Sequence, residues 1–431
     1  MINLAEMPKY DSYKDSNADY SGLIPVDWNL VPIRAIFEER NEKNSGPKTE
    51  YILSVTRDRG VIPYDEKGAI GNNKSEDIER YKLVYENDLV INKMNVVIGS
   101  LGLSKYFGAL SQVYIVLRPK TEEFSIRYYA YLFHNEPFYK SLIRYCTGIM
   151  ELRESLNKDQ FKQLYLPFPS IEVQVLIANF LDQKTAQIDE AIAIKEQQIN
   201  LLKERKQIII QQAVTQGLDP NVPMKDSGVE WIGKIPEHWQ IIRFKNLFSQ
   251  SRLPVRKEDG VVTSYRDGQV TLRSNRRLDG YTEAIIEGGY QGIRKGQLVL
   301  NSMDAFEGAI GVSESNGKCT PEYVICDPIR AGISQYYFAY LLREMALAKY
   351  IQVICNAVRQ RAVRIRFNNL AARLMVLPPE AEQEQIVEFI EAEKSKIDKG
   401  IESLQYQIEK LKEYKTTLIN SAVTGKIKIT P

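Results

Sequence analysis

Two stretches of this sequence carry the same heptad pattern of apolar residues, at a constant offset of 209 residues. Apolar positions that alternate between steps of four and three residues form one seam along a helix. The seam positions are Ile188, Ile192, Ile199, Leu202, Ile209 and Ala213 in the first stretch, and Ile397, Ile401, Leu404, Ile408, Leu411, Leu418 and Ala422 in the second. Such a seam needs a partner helix in water, so we expect the two stretches to pack against each other.

Lysines occupy the remaining positions of both seams, at Lys195, Lys206 and Lys415. Each seam covers roughly 26 residues, which corresponds to about 39 Å of helix at ~1.5 Å per residue. We therefore expect the two helices to hold the segments between them apart by about that length.

The repeat also covers the segments that precede the helices. Lys14-Asp15-Ser16 recurs as Lys225-Asp226-Ser227. At an offset of 211 residues, Tyr20-x-Gly22-x-Ile24-Pro25-x-x-Trp28 recurs as Trp231-x-Gly233-x-Ile235-Pro236-x-x-Trp239, and at 209 the strand-like Leu89–Met94 recurs as Leu298–Met303. An internal repeat of this length predicts two copies of one domain.

Local patterns predict the layout of each copy. Short β-branched runs broken by Gly, Asn and Asp indicate strands, and helices are expected near 125–145 and 333–354. Prolines at 167, 169, 378 and 379 place the starts of the long helices near 171 and 380, and Gly217 and Gly425 mark their ends. The sequence thus predicts an α+β fold in four segments: a domain at 1–170, a long helix at 171–217, a domain at 218–379 and a long helix at 380–431.

Composition and motifs exclude several classes of function. The formal net charge of the 431 residues is only +2, so the chain as a whole does not single out a nucleic-acid binder. Its four cysteines form no CxxC pair and it has two histidines, which predicts no metal site and free thiols in a reducing cytoplasm. The N-terminus does not resemble a signal peptide, and no apolar run reaches the length of a membrane span. We find no phosphate-binding loop, nucleophile elbow, methyltransferase tetrad or HExxH motif, and therefore predict no catalytic residue.

Local charge clusters give the stronger binding signal. The segment from Lys349 to Arg373 contains Arg359, Arg361, Arg364 and Arg366, and no acidic residue lies between Glu344 and Glu380. This arginine stripe suits phosphate contacts, although a solvated arginine face would show the same pattern. The first copy has a weaker counterpart in Arg144, Arg153, Lys158 and Lys162, which acidic neighbours dilute.

Further candidates for DNA contact come from positions that match between the copies. Arg266, Arg273 and Arg276 form a second basic cluster, and Arg57 matches Arg266 at the offset of 209. Arginine reads guanine and asparagine reads adenine in the major groove, so polar residues at strand ends are plausible base readers. The candidate DNA-binding residues are Arg57, Asn92, Lys93, Arg153, Arg266, Arg273, Arg276, Asn301, Ser302, Arg359, Arg361 and Arg364.

These doubled motifs resemble the DNA-specificity subunits of type I restriction-modification systems. The resemblance covers nearly the whole chain and rests on the doubled K-D-S to I-P-x-x-W segment, the doubled L-V-[IL]-N-x-M core and two helices that both reach A-V-T. It implies two target-recognition domains, each of which reads one half of a bipartite DNA site. It also implies that the two helices pack as an antiparallel coiled coil with pseudo-twofold symmetry and act as a spacer.

The resemblance further implies partners and cofactors outside this chain. In that family the helices dock two modification subunits, which carry S-adenosylmethionine and methylate adenine. Two restriction subunits, which need ATP and Mg²⁺, complete the enzyme. The chain itself would then be a cytoplasmic, non-catalytic DNA-binding protein without a cofactor of its own.

Two alternatives remain open from sequence. The chain would fit a related type II system whose partner fuses nuclease and methylase, which the neighbouring genes would distinguish. It would also fit a coiled-coil scaffold without a DNA role, which salt-dependent DNA binding would exclude.

Overall fold

The computed structural model describes residues 4–46, 48–68, 75, 77–147, 155–276, 289–355 and 364–430. The fold consists of two units, and each contains parts of both long helices. The first unit comprises Met1–Glu196 with Gln405–Pro431, and the second comprises Gln197–Leu404.

The first unit contains short strands and helices that precede and flank the first long helix. Its strands are β1 (Tyr13–Asp15), β2 (Leu23–Pro25), β3 (Asn29–Pro32), β4 (Phe37–Glu39), β5 (Leu53–Thr56), β6 (Gly60–Pro63), β7 (Lys82–Val84), β8 (Leu89–Asn92), β9 (Leu101–Leu103), β10 (Gly108–Leu110), β11 (Tyr114–Pro119), β12 (Cys146–Thr147), β13 (Ser155–Leu156) and β14 (Tyr165–Phe168). Its helices are α1 (Ile33–Ile36), α2 (Ile126–His134), α3 (Glu136–Ser141), α4 (Lys158–Phe161) and the first part of α5 (Ile171–Gln216). Short 3-10 helices lie at Leu4–Glu6, Tyr64–Lys67, Val96–Ile98 and Leu142–Tyr145.

The second unit contains a similar series of elements. Its strands are β15 (Met224–Asp226), β16 (Lys234–Pro236), β17 (Gln240–Arg243), β18 (Phe248–Gln250), β19 (Val262–Ser264), β20 (Val270–Leu272), β21 (Gln291–Ile293), β22 (Leu298–Asn301), β23 (Ile310–Val312), β24 (Gly317–Cys319), β25 (Tyr323–Pro328) and β26 (Leu374–Leu377). Its helices are α6 (Gln335–Leu347), α7 (Tyr350–Ile354), α8 (Phe367–Ala371) and the first part of α9 (Glu380–Val423). Short 3-10 helices lie at Phe244–Asn246, Arg273–Asn275 and Ala305–Glu307.

Each unit has one four-stranded antiparallel sheet. The strand order is β4-β11-β8-β9 in the first unit and β18-β25-β22-β23 in the second. The central strands β8 and β22 are the two segments that the sequence repeat singled out. Both end two residues earlier than the predicted Leu89–Met94 and Leu298–Met303, because the asparagine at each strand end begins a turn.

The two long helices begin at the predicted residues and end before Gly217 and Gly425, and α9 ends at Val423, short of the predicted segment end at residue 431. α5 begins at Ile171 and α9 at Glu380, in both cases shortly after proline. A glycine with positive φ follows each C-terminus, Gly217 at +77° and Gly425 at +71°. A left-handed residue terminates a helix, and glycine adopts that conformation without steric cost.

Both long helices contact each other within each unit, as the shared seam predicts. In the first unit Ile188, Ile408, Leu411 and Leu418 are buried, and Ile192 is half-buried. In the second unit Ile199, Ile397 and Ile401 are buried, and Leu202, Leu404 and Ile209 are half-buried. Burial of these side chains removes apolar surface from water, which stabilises the helix pair at roughly 25 cal/mol per Å².

The three lysines at seam positions reach polar groups on the opposite helix. In the first unit, Lys195 Nζ donates to Gln407 Oε1 at 2.6 Å, and Lys415 Nζ donates to Asp189 Oδ1 at 2.6 Å. In the second unit Lys206 Nζ donates to Asp398 Oδ1 at 2.6 Å. Each lysine thus places its charge beside a polar side chain of the opposite helix.

A buried glutamine ties the start of each long helix to its unit. Gln174 Oε1 accepts from Ser125 N at 2.8 Å, and its Nε2 donates to Pro169 O at 2.8 Å. Gln383 makes the same contacts with Ser334 N at 2.9 Å and Pro378 O at 2.9 Å. These buried amides satisfy backbone groups at the turn into the helix, so each long helix begins in a fixed direction.

The C-terminal end of each long helix lies in the core of a unit. Tyr128 Oη donates to Val423 O at 2.8 Å in the first unit, and Tyr337 Oη donates to Val214 O at 2.8 Å in the second. The Ala-Val-Thr segment of α9 therefore packs in the core that contains Trp28, and that of α5 packs in the core that contains Trp239. The C-terminal end of α5 is therefore part of the core of the second unit, and that of α9 is part of the core of the first unit.

Two of the four cysteines are buried (Cys319 and Cys326) and two are half-buried (Cys146 and Cys355). Burial raises the pKa of Cys319 to about 12, which keeps this thiol protonated at neutral pH. None of the described helices combines the length and apolarity that crossing a membrane requires.

Candidate nucleic-acid interface

The loops that follow β8 and β22 share one construction. Asn92 Oδ1 accepts from Met94 N at 3.1 Å, and Asn301 Oδ1 accepts from Met303 N at 3.2 Å. A short 3-10 helix follows each turn, and a left-handed glycine ends it, Gly99 at +82° and Gly308 at +97°. Asn92 is buried and Asn301 half-buried, so both side chains fix the backbone of these loops.

A backbone contact joins each of these loops to a later segment. Leu156 N donates to Lys93 O at 2.9 Å in the first unit, and Ile365 N donates to Ser302 O at 3.2 Å in the second. Ser302 is buried and its Oγ donates to Ile365 O at 2.6 Å. The second contact brings the loop after β22 next to Arg364 and Arg366, which flank Ile365.

The loop after β22 also contacts the hairpin formed by β19 and β20. Arg266, in the hairpin turn, donates through Nη2 to Asp304 Oδ1 at 3.0 Å and pairs with Glu307 through Nη1. The hydrogen bond that Arg266 donates to the Asp304 carboxylate raises the pKa of Arg266. The Arg266 side chain is nevertheless 64% exposed, so its remaining N–H groups face solvent. The structure therefore brings together Arg266, Asn301, Ser302 and Arg364, which the sequence named separately.

The other two arginines of the hairpin region are also held by neighbours. Arg276 Nη1 donates to Asp267 Oδ2 at 2.8 Å, and its guanidinium carbon lies 4.1 Å from the ring centre of Tyr265. Arg273 Nε donates to Thr263 Oγ1 at 3.1 Å. The predicted basic cluster at 266–276 is thus a set of arginines with defined orientations on one hairpin.

The structure describes only part of the arginine stripe at Lys349 to Arg373. Arg359 and Arg361 lie outside the described residues. Arg364 is half-buried, with its Nε 3.8 Å from Glu322 Oε2, and both Lys349 and Arg366 are exposed. Glu322 is an acidic neighbour that the sequence did not indicate, because it precedes the acid-free segment.

The first unit carries less free positive charge. Arg57, in the turn between β5 and β6, is 66% exposed and lies 3.9 Å from Asp58. Lys93 is half-buried, and Arg144 pairs with Asp19. Arg153 lies outside the described residues.

Two lysines of the weaker basic segment pair with an acid that is distant in sequence. Lys158, Lys82 and Lys162 donate to the carboxylate of Glu39 at 2.6, 3.0 and 3.1 Å. Burial raises the pKa of Glu39, but these hydrogen bonds outweigh it and lower that pKa to about 2. Glu39 therefore stays ionised, and its single negative charge is shared among three lysines, two of which (Lys158 and Lys162) lie 119 and 123 residues away.

The described part of the chain holds no group of three or more His, Cys, Asp or Glu side chains that could bind a metal ion. His238 is exposed, with its Nε2 2.8 Å from Glu382 Oε2, and the same carboxylate accepts from Trp239 Nε1 at 3.0 Å. Glu382 thus links the repeated Ile-Pro-x-x-Trp segment to the first turn of α9.

Asp304 and Glu307 are the site residues that the sequence did not reveal. Their contact with Arg266 spans about 40 residues, so no local pattern points to it. A signal does exist in the repeat: Arg266 matches Arg57, but Asn95 and Ile98 stand where the second copy has Asp304 and Glu307.

Comparison with known proteins supports the resemblance seen in the sequence. Residues 25–204 match the family described as the type I restriction modification DNA specificity domain. The predicted type I restriction enzyme MjaX specificity subunit of Methanocaldococcus jannaschii is 25% identical over 57% of this chain and 58% of its own length. The type I restriction enzyme EcoBI specificity subunit of Escherichia coli is 22% identical over 75% of this chain and 70% of its own length. The match thus spans little more than half of the first relative.

Two solved structures share the fold. A chain from a study of complex assembly and conformational transition in the type I R-M system aligns with a TM-score of 0.67 at 11% identity, covering 93% of this chain and 98% of that one. The HsdS subunit from Thermoanaerobacter tengcongensis aligns with a TM-score of 0.54 at 12% identity, covering 94% of this chain and 98% of that one. Residues 25–204 are thus similar in sequence to the type I restriction modification DNA specificity domain, and the whole chain is similar in fold to the HsdS subunit.

Proposed function

We propose that this chain is the DNA sequence-recognition subunit of a type I restriction-modification enzyme. Each half reads one half of a bipartite site, and the chain itself performs no catalysis. The observation that carries this proposal is the pair of units with one strand order, in which matching loops follow β8 and β22. In the second unit arginines surround that loop, as a surface that contacts DNA requires.

The two recognition domains correspond to 1–170 and 218–379, and the helices at 171–217 and 380–431 form the spacer. The helices run antiparallel with pseudo-twofold symmetry. Within the first unit Lys415 contacts Asp189, and Lys195 contacts Gln407. Residue numbers therefore increase along one helix in the direction in which they decrease along the other, as in an antiparallel pair. Within the second unit Lys206 pairs with Asp398, which agrees with the same direction. A spacer of about 39 Å is close to one turn of B-DNA, ~34–36 Å.

We assign two kinds of DNA contact within this site. Exposed or half-buried cations of the stripe, which include Arg364 and Arg366, contact phosphates. We assign the same role, from sequence alone, to Arg359 and Arg361 of the stripe and to Arg153 of the first copy. The exposed hairpin arginines Arg57, Arg266 and Arg276 approach base edges, since hairpins of this size fit the major groove. Asn92, Asn301 and Ser302 shape the loops, because their side chains already bind the backbone.

The partners of this chain supply all covalent chemistry. Two modification subunits with S-adenosylmethionine dock on the spacer helices, and two restriction subunits with ATP and Mg²⁺ join them for cleavage. A related type II system, with nuclease and methylase fused in one partner, is the second candidate, and the neighbouring genes distinguish the two.

The salt dependence of DNA binding tests the assignment of phosphate contacts. Replacement of Arg359, Arg361 and Arg364 by alanine removes up to three counterion-releasing contacts. We expect the slope of log K against log salt to fall in magnitude by about two to three for the complex with its modification subunits. Fluorescence anisotropy between low and moderate salt measures this slope on DNA that carries the recognition site.

A matched variant controls for the loss of charge alone. Replacement of the exposed Lys9, Lys120 and Arg330 by alanine removes the same charge outside the proposed site. That variant should keep the slope of the unmodified chain. An unchanged slope in the stripe variant would contradict the assignment, and salt-independent binding of the unmodified complex would favour a scaffold without a DNA role.

A further inference from the structure

One carboxylate in the second unit holds two side chains of the proposed interface. Asp304 Oδ1 accepts from Arg266 Nη2 at 3.0 Å, and Asp304 Oδ2 accepts from Asn301 Nδ2 at 3.1 Å. Asn301 is itself fixed, since its Oδ1 accepts from Met303 N at 3.2 Å. A chain of hydrogen bonds through Asn301 and Asp304 therefore connects the end of β22 to the guanidinium of Arg266 and fixes its orientation.

A second acid completes the support of this arginine. Glu307, on the 3-10 helix that follows Asp304, pairs with Arg266 Nη1. Both Nη atoms of the guanidinium are thus engaged from the loop after β22. The guanidinium has five N–H donors, so three remain for a ligand although the two terminal nitrogens are anchored.

The local charge distinguishes the ligands that Arg266 can bind. Among the three side chains in direct contact, Arg266 contributes one positive charge and Asp304 and Glu307 contribute two negative charges, so this contact carries an excess of one negative charge. A phosphate would meet repulsion at this site, and its binding would release few counterions. The edge of a base carries no net charge, and guanine O6 and N7 accept hydrogen bonds from arginine.

The described residues of the first unit show a different arrangement around the matching arginine. Arg57 is the matching arginine. Its Nε lies 3.9 Å from Oδ1 of Asp58, which is in the same turn. Asn95 and Ile98 occupy the positions of Asp304 and Glu307, and neither carries a charge. The two units therefore hold their matching arginines by different means.

We propose that Asp304 is a positioning residue that fixes Arg266 to read a guanine in the second half-site. Glu307 assists by holding the other side of the guanidinium. This inference rests on the proposed function, since it names a base-reading residue within the second recognition domain. Arg266 then differs in role from the arginine stripe, whose cations bind phosphates through electrostatic attraction.

Sequencing of methylated DNA tests the inference in the complex with the modification subunit. The substrate is a DNA library in which both half-sites are randomised in turn. Asp304→Asn keeps the shape of the side chain and its contact with Asn301, but weakens the hold on Arg266. We expect discrimination at one base position of the second half-site to fall about 10- to 100-fold. The first half-site should be read as before, and the salt slope of binding should stay the same.

Two further variants separate positioning from folding. Arg266→Lys retains the charge and loses the bidentate fork, so it should relax the same base position as Asp304→Asn. Asp304→Glu retains the carboxylate and should recover part of the discrimination, which a purely structural defect would not allow. Arg57→Ala should alter the first half-site only.

The outcomes distinguish this inference from the proposed function. A split motif for the unmodified chain, with unchanged base preferences in both Asp304→Asn and Arg266→Lys, would overturn the inference and leave the function intact. A uniform loss of methylation across all sequences would also overturn it, because it would show a role in stability or phosphate binding. Absence of a split motif in the unmodified chain would contradict the function itself.

Discussion

At the scale of single residues, two buried glutamates, Glu39 and Glu344, have pKa values shifted in opposite directions. Glu39 is surrounded by three lysines and stays ionised, with its pKa lowered to about 2 despite burial. Glu344, on α6, is buried, and its side chain accepts a hydrogen bond from Gln207 Nε2 at 2.6 Å. Burial raises the pKa of Glu344 to about 7, which outweighs the opposing effects of Gln207 and Arg343. Among these two acids only Glu344 titrates near neutral pH.

We predict that Glu344 makes the stability of the second unit dependent on pH. The folded pKa of about 7 lies above the ordinary value of 4.5, so the folded state binds more protons than the unfolded state between these values. Stability should therefore fall as pH rises from 4.5 to 7, and the full penalty should persist above pH 7. Glu344→Gln keeps an acceptor for Gln207 and should raise stability at pH 8.5 by about 1–3 kcal/mol.

Thermal unfolding at two pH values checks this prediction. The gain from Glu344→Gln should be large at pH 8.5 and small at pH 5. Glu384→Gln, an exposed acid on α9, is the control and should change stability little at either pH. An equal effect of Glu344→Gln at both pH values would show that ionisation of this group does not matter.

At the scale of elements, the long helices were predictable and the loops were not. Proline, glycine and heptad periodicity are local signals, so they placed Ile171, Glu380 and the ends of both helices correctly. The Arg266–Asp304 and Lys158–Glu39 contacts join elements that are far apart in sequence, so composition alone indicated only that charges are clustered. Comparison of the two copies adds a signal that composition lacks. Asn95 in the first copy matches Asp304 in the second, and this difference in charge marks a position where the two copies diverge.

We predict that the length of the helices sets the spacing of the recognised half-sites. Four residues inserted into α5 near Gln197, with four inserted into α9 near Tyr406, lengthen the pair by about 6 Å. These insertions lie between the Lys195–Gln407 contact of the first unit and the Lys206–Asp398 contact of the second, so both contacts persist. The site should keep both half-sequences and gain one or two base pairs between them, since each base pair occupies about 3.4 Å.

Sequencing of methylated sites measures that spacing directly. An insertion into α5 alone shifts one helix against the other and should reduce methylation more than the paired insertions do. Recognition of the original spacing by the paired variant would contradict a role of the helices as a ruler.

At the scale of the whole molecule, the repeat in the sequence predicted two similar units and two long helices. It did not predict that each unit contains the C-terminal part of the helix from the other copy. Tyr128 binds Val423, and Tyr337 binds Val214, so the end of each helix completes a core built from another part of the chain. Local pattern cannot reveal this because the contacts span 295 and 123 residues.

The central claim is that two units of one chain read two separate half-sequences. The most direct test is single-molecule sequencing of methylated bases in DNA from cells that express this chain with its modification subunit. We predict a split motif, in which two short half-sequences flank a gap of fixed length and unread sequence. Methylation at one continuous motif, or none with an intact and expressed modification subunit, would contradict the claim.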